Sequence, residues 1–254
     1  MTRKICVIPA RMASSRFPGK PLECMLGMPL ILHVMYRCAL EDHFDDVIVA
    51  TCDREIIECV ENANGVAVMT ASTHERCTDR VFEAIEAYPT KLKKNDLVIM
   101  VQGDEVLVNP DMLKGMINIY ESSQVPVVNL ISRIYREEDH DDVNVVKVVT
   151  DLNERITYLS RAAIPSRSRN SNAPMYQQTG VIAYSSRFLS EFSKLKQTPL
   201  EIIESIDMLR LIEHGISLKS SKTELETISV DTKNDLIRAE KALINDVWTK
   251  KYLR

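Results

Sequence analysis

No apolar run in this chain approaches the roughly eighteen residues that a membrane-spanning helix requires, which excludes such a segment. Cations are not in excess: 32 Lys and Arg stand against 36 Asp and Glu, a net charge of -4. Nucleic-acid coats and binders of anionic membranes need a broad basic face, so neither nucleic acid nor membrane is an expected partner. The opening "MTRKICVIPARM" has too short an apolar stretch for a signal peptide before Arg11 interrupts it, and a cytoplasmic location is expected. CxxC pairs are missing as well. The six cysteines (Cys6, Cys24, Cys38, Cys52, Cys59, Cys77) all lie in the first third, which suits reduced thiols better than a disulfide framework or zinc site. GxGxxG is absent, and "SSRFPGKP" lacks the leading Gly and the Ser or Thr after the Lys that a Walker A loop needs. His33, His43, His74, His140 and His214 show neither HExxH nor a triad order, and no G-x-S-x-G elbow surrounds Ser14 or Ser15. Histidine catalysis and a hydrolase are both disfavoured.

What the 254 residues do contain is enough chain for one large core, written as apolar, β-branched runs alternating with helical patterns. "ICVIP" (5–9), "DVIVAT" (46–51), "VAVMT" (66–70) and "DLVIMVQGD" (96–104) alternate with "LILHVMYRCALE" (30–41), "EIIECVENA" (55–63) and "RVFEAIEAY" (80–88). Each strand-like run is apolar throughout, as in a parallel sheet covered on both faces. The expectation is an α/β chain with a Rossmann-like, mostly parallel central sheet. After "MLKGMINIYESS" (112–123) come strand-like segments with little helix between them, so an antiparallel region inserted at the sheet's edge is expected over about 125–186. Such an insertion suits an oligomer contact or a substrate cover. "PSRSRNSNAPMYQQ" (165–178) reads as a mobile loop. One helix is expected over "LEIIESIDMLRLIEHG" (200–215), closed by Gly215, and another after Thr232, which with Asp235 makes a capping-box-like start. No repeat or linker divides the chain, so residues 1–254 read as a single domain.

The chemistry concentrates at strand ends. In "VIPARMASSRFPGKP" (7–21) Arg11, Arg16 and Lys20 have no nearby acid until Glu23. Three cations in one loop either face open solvent or hold an anion. The loop leaves the carboxyl end of a strand, where open α/β sheets bind ligands, and a forked Arg with a point-charge Lys suits a triphosphate. Small Ala13, Ser14, Ser15 and Gly19 would let backbone N–H groups approach it. Asp104 in "VIMVQGDEV" and Asp231 in "TISVDTKNDL" each follow an apolar strand. Each either caps the next turn or faces a cleft, and two such acids on parallel neighbours could share one Mg²⁺ with phosphate oxygens and water. Phosphoryl or nucleotidyl transfer is the leading class. Lys147, between valines in "VNVVKVVTD", either points to water or, with Arg161 in "LSRAAIP", supplies charge for an anionic substrate.

"IPARMASSRFPGKPL", "VQGDE", "VNVVKVV", "YLSRAAIP", "TPLEIIESIDMLRL" and "VDTKNDL" occur in the order of the hallmark segments of the cytidylyltransferases that activate 3-deoxy-manno-octulosonate (KDO), the CMP-KDO synthetases. The chain resembles that family over nearly its whole length. The resemblance implies a mixed α/β nucleotidyltransferase fold, a homodimer, and the use of CTP and Mg²⁺ to make a CMP-linked acid sugar and pyrophosphate for lipopolysaccharide. By the same likeness Arg11, Arg16 and Lys20 match the phosphate loop, Arg11, Lys20 and Asp104 the catalytic groups, and Asp104 and Asp231 the metal acids. Thr78, Arg80 and Gln102 match nucleotide positions, and Gln102, Arg161, Gln178, Tyr184, Glu204 and Asp207 match the sugar side. The departures are "RCTDR" where relatives read "SGTER" (Cys77 for Gly, Asp79 for Glu), Gln178 for His, Ile182 for Tyr, and "IDMLR" for "LEQLR" (Asp207 for Glu, Met208 for Gln), with Val106 replacing a Pro. Most of these bear on the sugar. An 8-amino KDO, another ulosonic or nonulosonic acid, or a phosphonate is the alternative acceptor, and a catalytically silent nucleotide-binding protein is the rival from another class.

Overall fold

The computed structural model describes residues 2–14, 16–123 and 125–253; Ser15, expected among the small residues of the cation loop, lies outside them. Strands β1 (Lys4–Ala10), β2 (Cys24–Met25) and β3 (Met28–Pro29) lead into helix α1 (Leu30–Ala39). Then follow β4 (Asp46–Thr51), α2 (Arg54–Asn62), β5 (Val66–Met69), α3 (Cys77–Ala87), β6 (Leu97–Val101) and α4 (Pro110–Ser122). The second half runs β7 (Val127–Arg133), α5 (Glu138–Asp141), β8 (Lys147–Thr150), β9 (Ile156–Ser160), β10 (Tyr176–Ser185), α6 (Ser186–Phe192), α7 (Pro199–Glu204), α8 (Met208–Glu213), β11 (Leu218–Thr223), α9 (Lys233–Asn245) and α10 (Thr249–Tyr252).

The main sheet has the order β11-β7-β10-β6-β1-β4-β5, with β8 and β9 branching from β10. β6, β1, β4 and β5 pair in parallel, as the continuous apolar runs require. Successive residues of β6 enter opposite cores: Leu97, Ile99 and Val101 pack with Leu30, Val34 and Leu113 on one face, while Val98 and Met100 pack with Val81, Phe188 and Leu209 on the other. A strand buried on both sides shows no alternation in its sequence, because neither face meets water.

Three expectations are corrected. The inserted region is not confined to an edge: β10 lies inside the sheet, antiparallel to both β6 and β7, and only the β8–β9 hairpin projects from it. The helix expected over 200–215 is two helices, broken where Ser205 takes φ 53 and Ile206 buries its side chain, which leaves Asp207 between them. The strand expected before Asp231 is a single antiparallel bridge between Ser229 and Glu105. Gly215 does follow α8, its N–H donating to Ile212 O, and Thr232 and Asp235 do form the capping box of α9. Of the loop expected over 165–178, the segment 165–175 carries no helix or strand, but Tyr176, Gln177 and Gln178 open β10.

Candidate active site

The site grows from the carboxyl ends of β1, β4 and β6. Beyond Ala10 the chain turns out of the sheet, and Met12 N donates to Asp53 Oδ2 at 2.7 Å, tying the cation loop to the end of β4. Gly19 takes φ 76, a left-handed conformation that costs a glycine little, and turns the chain into a one-turn 3₁₀ helix at Lys20–Leu22. That turn buries Lys20, whose Nζ donates to Asp104 Oδ2 at 2.7 Å and Asp231 Oδ1 at 3.5 Å. Arg16 Nη2 lies 2.9 Å from Asp231 Oδ2, and its Nη1 donates to Asn144 Oδ1 at 3.3 Å. The acids missing around these cations in sequence are thus supplied from 84 and 211 residues away.

The two aspartates are joined by backbone. Gly103 N donates to Pro9 O at 3.2 Å, pinning the turn after β6 against β1, and Val230 N donates to Asp104 O at 3.1 Å. They therefore meet across an antiparallel bridge and not on parallel neighbours. Burial opposes the Lys20 ammonium, but the attraction of Asp104 and then Asp231 outweighs it and raises its pKa. Burial, followed by the charge of Asp104, pushes Asp231 up. The same causes push Glu105 up to about 8, so it is largely neutral at pH 7 while its Oε1 accepts from Gly180 N at 2.6 Å.

Asp104 Oδ1 is buried and accepts no hydrogen bond. A buried carboxylate oxygen without a donor is costly unless a cation fills the gap, so Asp104 and Asp231 fit a hard divalent ion. Among the described residues no group of three or more His, Cys, Asp or Glu could hold a metal alone. The fit is to an ion that keeps water and takes phosphate oxygens, as Mg²⁺ does in nucleotide sites.

Around this cluster open a recess of about 240 Å³ and a larger lobe of about 640 Å³, sharing Arg16, Glu75, Arg76, Cys77, Gln102 and Asp231 in their walls. Arg11 and Arg80 line the recess with Lys20 and Asp104. Arg80 is buried, its Nη1 donating to Thr70 Oγ1 at 2.5 Å and Ala71 O at 3.2 Å, while its Nη2 has no partner. Thr78, Gln102, Arg161, Gln178 and Asp207 line the larger lobe. Gln178 Nε2 donates to Asn129 Oδ1 at 2.8 Å. Gly180 lies so close to Gln102 that a Cβ there would sit 2.8 Å from its side chain, so only glycine lets β10 support that residue.

Two expected sugar contacts do not reach the cleft. Tyr184 is fully buried beside Phe192, because β10 runs antiparallel and enters the core four residues beyond Gly180. Its hydroxyl lies 3.5 Å from Thr78 Oγ1, behind the lobe's wall. The Glu204 carboxylate accepts from Ser160 Oγ at 2.7 Å and Arg161 N at 2.9 Å, so it holds Arg161 in place. Lys147 neither points to water nor faces the cleft: it is fully buried and donates to Asp142 O, Val145 O and Arg161 O, each at 2.7 Å.

Residues 5–228 match the family described as "Cytidylyltransferase". The chain belongs to the cytidylyltransferase family. It is 39% identical over 248 residues to the 3-deoxy-manno-octulosonate cytidylyltransferase of Thermodesulfovibrio yellowstonii, covering 94% of this chain and 97% of the relative. It is 37% identical over 241 residues to the 8-amino-3,8-dideoxy-manno-octulosonate cytidylyltransferase of a Shewanella species, covering 94% and 98%. A solved CMP:2-keto-3-deoxy-manno-octonic acid synthetase complexed with CTP superposes with a TM-score of 0.87 at 31% identity, covering 96% of this chain and 99% of that one.

This cytidylyltransferase is a nucleotidyltransferase of mixed α/β fold, and no helix among its described residues is long and apolar enough to cross a membrane. Its departures have physical settings. Cys77 opens α3 inside the cleft wall, and burial, then the charge of Asp104, pushes its thiol up to about 12, so it stays protonated. Val106 is fully buried in the core and its N–H donates to Asp104 O at 3.0 Å, a bond that a proline could not make. Arg76, Glu105, Asp53 and Asn144 were not anticipated as site residues. Asp53 and Glu105 carried the signal that marks Asp104, an acid just past an apolar strand.

Proposed function

We propose that this cytidylyltransferase transfers the CMP moiety of CTP to KDO or a closely related 2-keto acid sugar, releasing pyrophosphate. The observation that carries the reading is the convergence of Arg16, Lys20, Asp104 and Asp231 at one cleft, with Arg11 and Arg80 lining the adjoining recess. The names of its relatives support CTP and an acid sugar as substrates.

In this reading Arg11, Arg16 and Lys20 grip the triphosphate, and Thr78, Arg80 and Gln102 lie along the nucleotide. Arg161 and Gln178 face the acid sugar. Its anomeric oxygen attacks the α-phosphorus in line. The new O–P bond forms as the bond from the α-phosphorus to the α,β-bridging oxygen breaks, the hydroxyl proton passes to solvent water, and the electron pair of the broken bond leaves with pyrophosphate. Positioning and neutralisation of the charge growing on the leaving group supply the catalysis. Mg²⁺ held by Asp104 and Asp231 would add charge neutralisation at the phosphates. CTP supply favours the cytoplasm, and a homodimer is proposed on the family resemblance alone. The product would serve lipopolysaccharide assembly.

The test is pyrophosphate release from CTP, and from UTP as control, across a panel of 2-keto acid sugars, other ulosonic and nonulosonic acids, and phosphonates. Release with CTP and an acid sugar is expected. CTP binding without product from any acid would instead leave a silent nucleotide binder. Calorimetry of CTP binding at increasing Mg²⁺ should show affinity rising in the wild type and much less in Asp104→Asn.

A further inference from the structure

β10 is irregular where it forms the wall of the larger lobe. Gln178 stands opposite Ile131 of β7 and Ile182 opposite Asn129, so Thr179, Gly180 and Val181 face Leu130 alone. Such a bulge breaks the ladder and leaves backbone carbonyls to find other donors. The wholly buried Asn129 is that donor. Its Nδ2 donates to Thr179 O at 3.2 Å, Val181 O at 3.1 Å and Leu130 O at 3.0 Å, while its Oδ1 accepts from Gln178 Nε2 at 2.8 Å. Resting on the acid-sugar cytidylyltransferase reading, we infer that Asn129 is a positioning residue: it aims the carbonyl oxygen of Gln178 into the lobe, where that oxygen accepts from a hydroxyl of the acid sugar and repels its carboxylate.

The orientation of Asn129 is not free. Turned over, its amide would set an oxygen against three carbonyl oxygens and withdraw their donor, which costs more than the loss of any one hydrogen bond. Asn129 therefore presents Oδ1 to Gln178. Two carbonyl oxygens cannot bond each other, so Gln178 must bring its nitrogen toward β7. The end turned away is Oε1, and no described residue donates to it. Gln178 lines the larger lobe together with Gln102 and Arg161, so the unspent acceptor belongs to whatever fills that lobe.

A carbonyl oxygen accepts and never donates. It takes the hydrogen of a sugar hydroxyl, and it offers nothing to a carboxylate, which is left to the cations of the cleft. Relatives carry His in place of Gln178, and an imidazole donates or accepts according to its tautomer. Gln178 lacks that freedom because β7 has settled its amide. Asn129 itself is wholly buried, so it acts on the substrate only through Gln178.

The experiment measures pyrophosphate release from CTP with KDO and with KDO analogues in which single hydroxyls are replaced by fluorine, which is similar in size and cannot donate. The enzymes are the wild type, Gln178→Met, Asn129→Ser and the double variant. One analogue should lose about fivefold to tenfold in kcat/KM with the wild type, the scale of one hydrogen bond, and no more than about twofold with Gln178→Met. Asn129→Ser should abolish the same penalty, raise KM for KDO and leave KM for CTP unchanged, which also shows it folded. Added to Gln178→Met it should change KM for KDO by less than about twofold, because its effect runs through Gln178. Should Asn129→Ser not fold, Gln178→His decides: a ring N–H held by Asn129 Oδ1 leaves the other nitrogen as acceptor, so the penalty should persist. Its loss there, the absence of any analogue whose penalty depends on Gln178, or a dependence that survives in Asn129→Ser overturns the inference and leaves the cytidylyltransferase reading standing. Equal rises in KM for CTP and KDO in Asn129→Ser would reduce Asn129 to a support for the bulge and overturn it too. No pyrophosphate from KDO or its analogues sinks the inference together with the reading beneath it.

Discussion

Two buried ionic groups in this enzyme are built to opposite rules. On the side of the sheet formed by α7 and α8, Glu201 is wholly buried and meets Arg210 fork to fork, Nε to Oε2 at 2.7 Å and Nη2 to Oε1 at 2.5 Å. The remaining Arg210 Nη1 donates to Leu195 O at 3.2 Å, and the guanidinium lies 4.5 Å from the Phe192 ring centroid. Both charged groups are thus fully engaged by partners inside the chain. At the cleft, Lys20 bridges Asp104 and Asp231 while Asp104 Oδ1 is left without one. A closed pair fixes two helices against a core. An open one stores an unmet demand that a ligand satisfies, at some expense in stability.

The largest way to break this contrast is Asp104→Asn. Removing the under-satisfied charge should cut pyrophosphate release by about a thousandfold, the scale of losing an electrostatic contact to the reacting phosphates. The thermal midpoint should move little, because the lost group was never fully partnered. Near-normal turnover in that variant would remove Asp104 from the chemistry.

Arg210→Met attacks the closed pair and should do the reverse. It leaves Glu201 buried without a counter-ion, a loss of about 3–5 kcal/mol, which for a chain of this size lowers the midpoint by roughly 10 °C. Calorimetric unfolding reads it directly, and a shift smaller than that of Asp104→Asn would reverse the assignment of scaffold and site.

Lys147 is a third buried charge of the closed kind, satisfied by three carbonyls instead of an acid. Lys147→Met should cost about 2 kcal/mol for the carbonyls it leaves unpaired. Because one of those carbonyls belongs to Arg161 and another to Val145 of the cleft wall, KM for the acid sugar should rise several-fold while KM for CTP holds. Equal changes in both would show a general loosening.

The sequence made the open group legible and the closed groups nearly invisible. Arg11, Arg16, Lys20, Asp104 and Asp231 stood out because charges at the ends of apolar strands violate the local pattern, and the all-apolar strands predicted the parallel part of the sheet. Lys147 resembled an outward residue because its partners come from residues 142, 145 and 161, which are brought around it only by the β8–β9 hairpin. Side-chain periodicity does not report strand order, so the central place of β10 was missed, and with it the burial of Tyr184. The helical pattern over 200–215 was real on both sides of Ser205, but a serine at positive φ breaks it without a glycine to announce the turn. Arg76 Nη1 meets Asp207 Oδ1 at 3.0 Å only through that break.

The smallest expected effect concerns acid. Burial alone would raise the Glu201 carboxyl, but the hydrogen bonds and charge of Arg210 outweigh it and hold its pKa below the ordinary value near 4.5. A folded pKa below the unfolded one means that the unfolded chain binds more protons in between, so the pair's stabilisation is complete above that value and is lost as pH falls through the folded pKa. Glu201→Gln removes the titrating group. In urea unfolding between pH 7 and pH 3, the stability gap between wild type and Glu201→Gln should therefore be widest at neutral pH and narrow below about 4.5. A gap that stays constant across the range would mean that Glu201 contributes shape to the α7–α8 corner and no charge, and the pair would cease to be the ionic counterpart of the cleft.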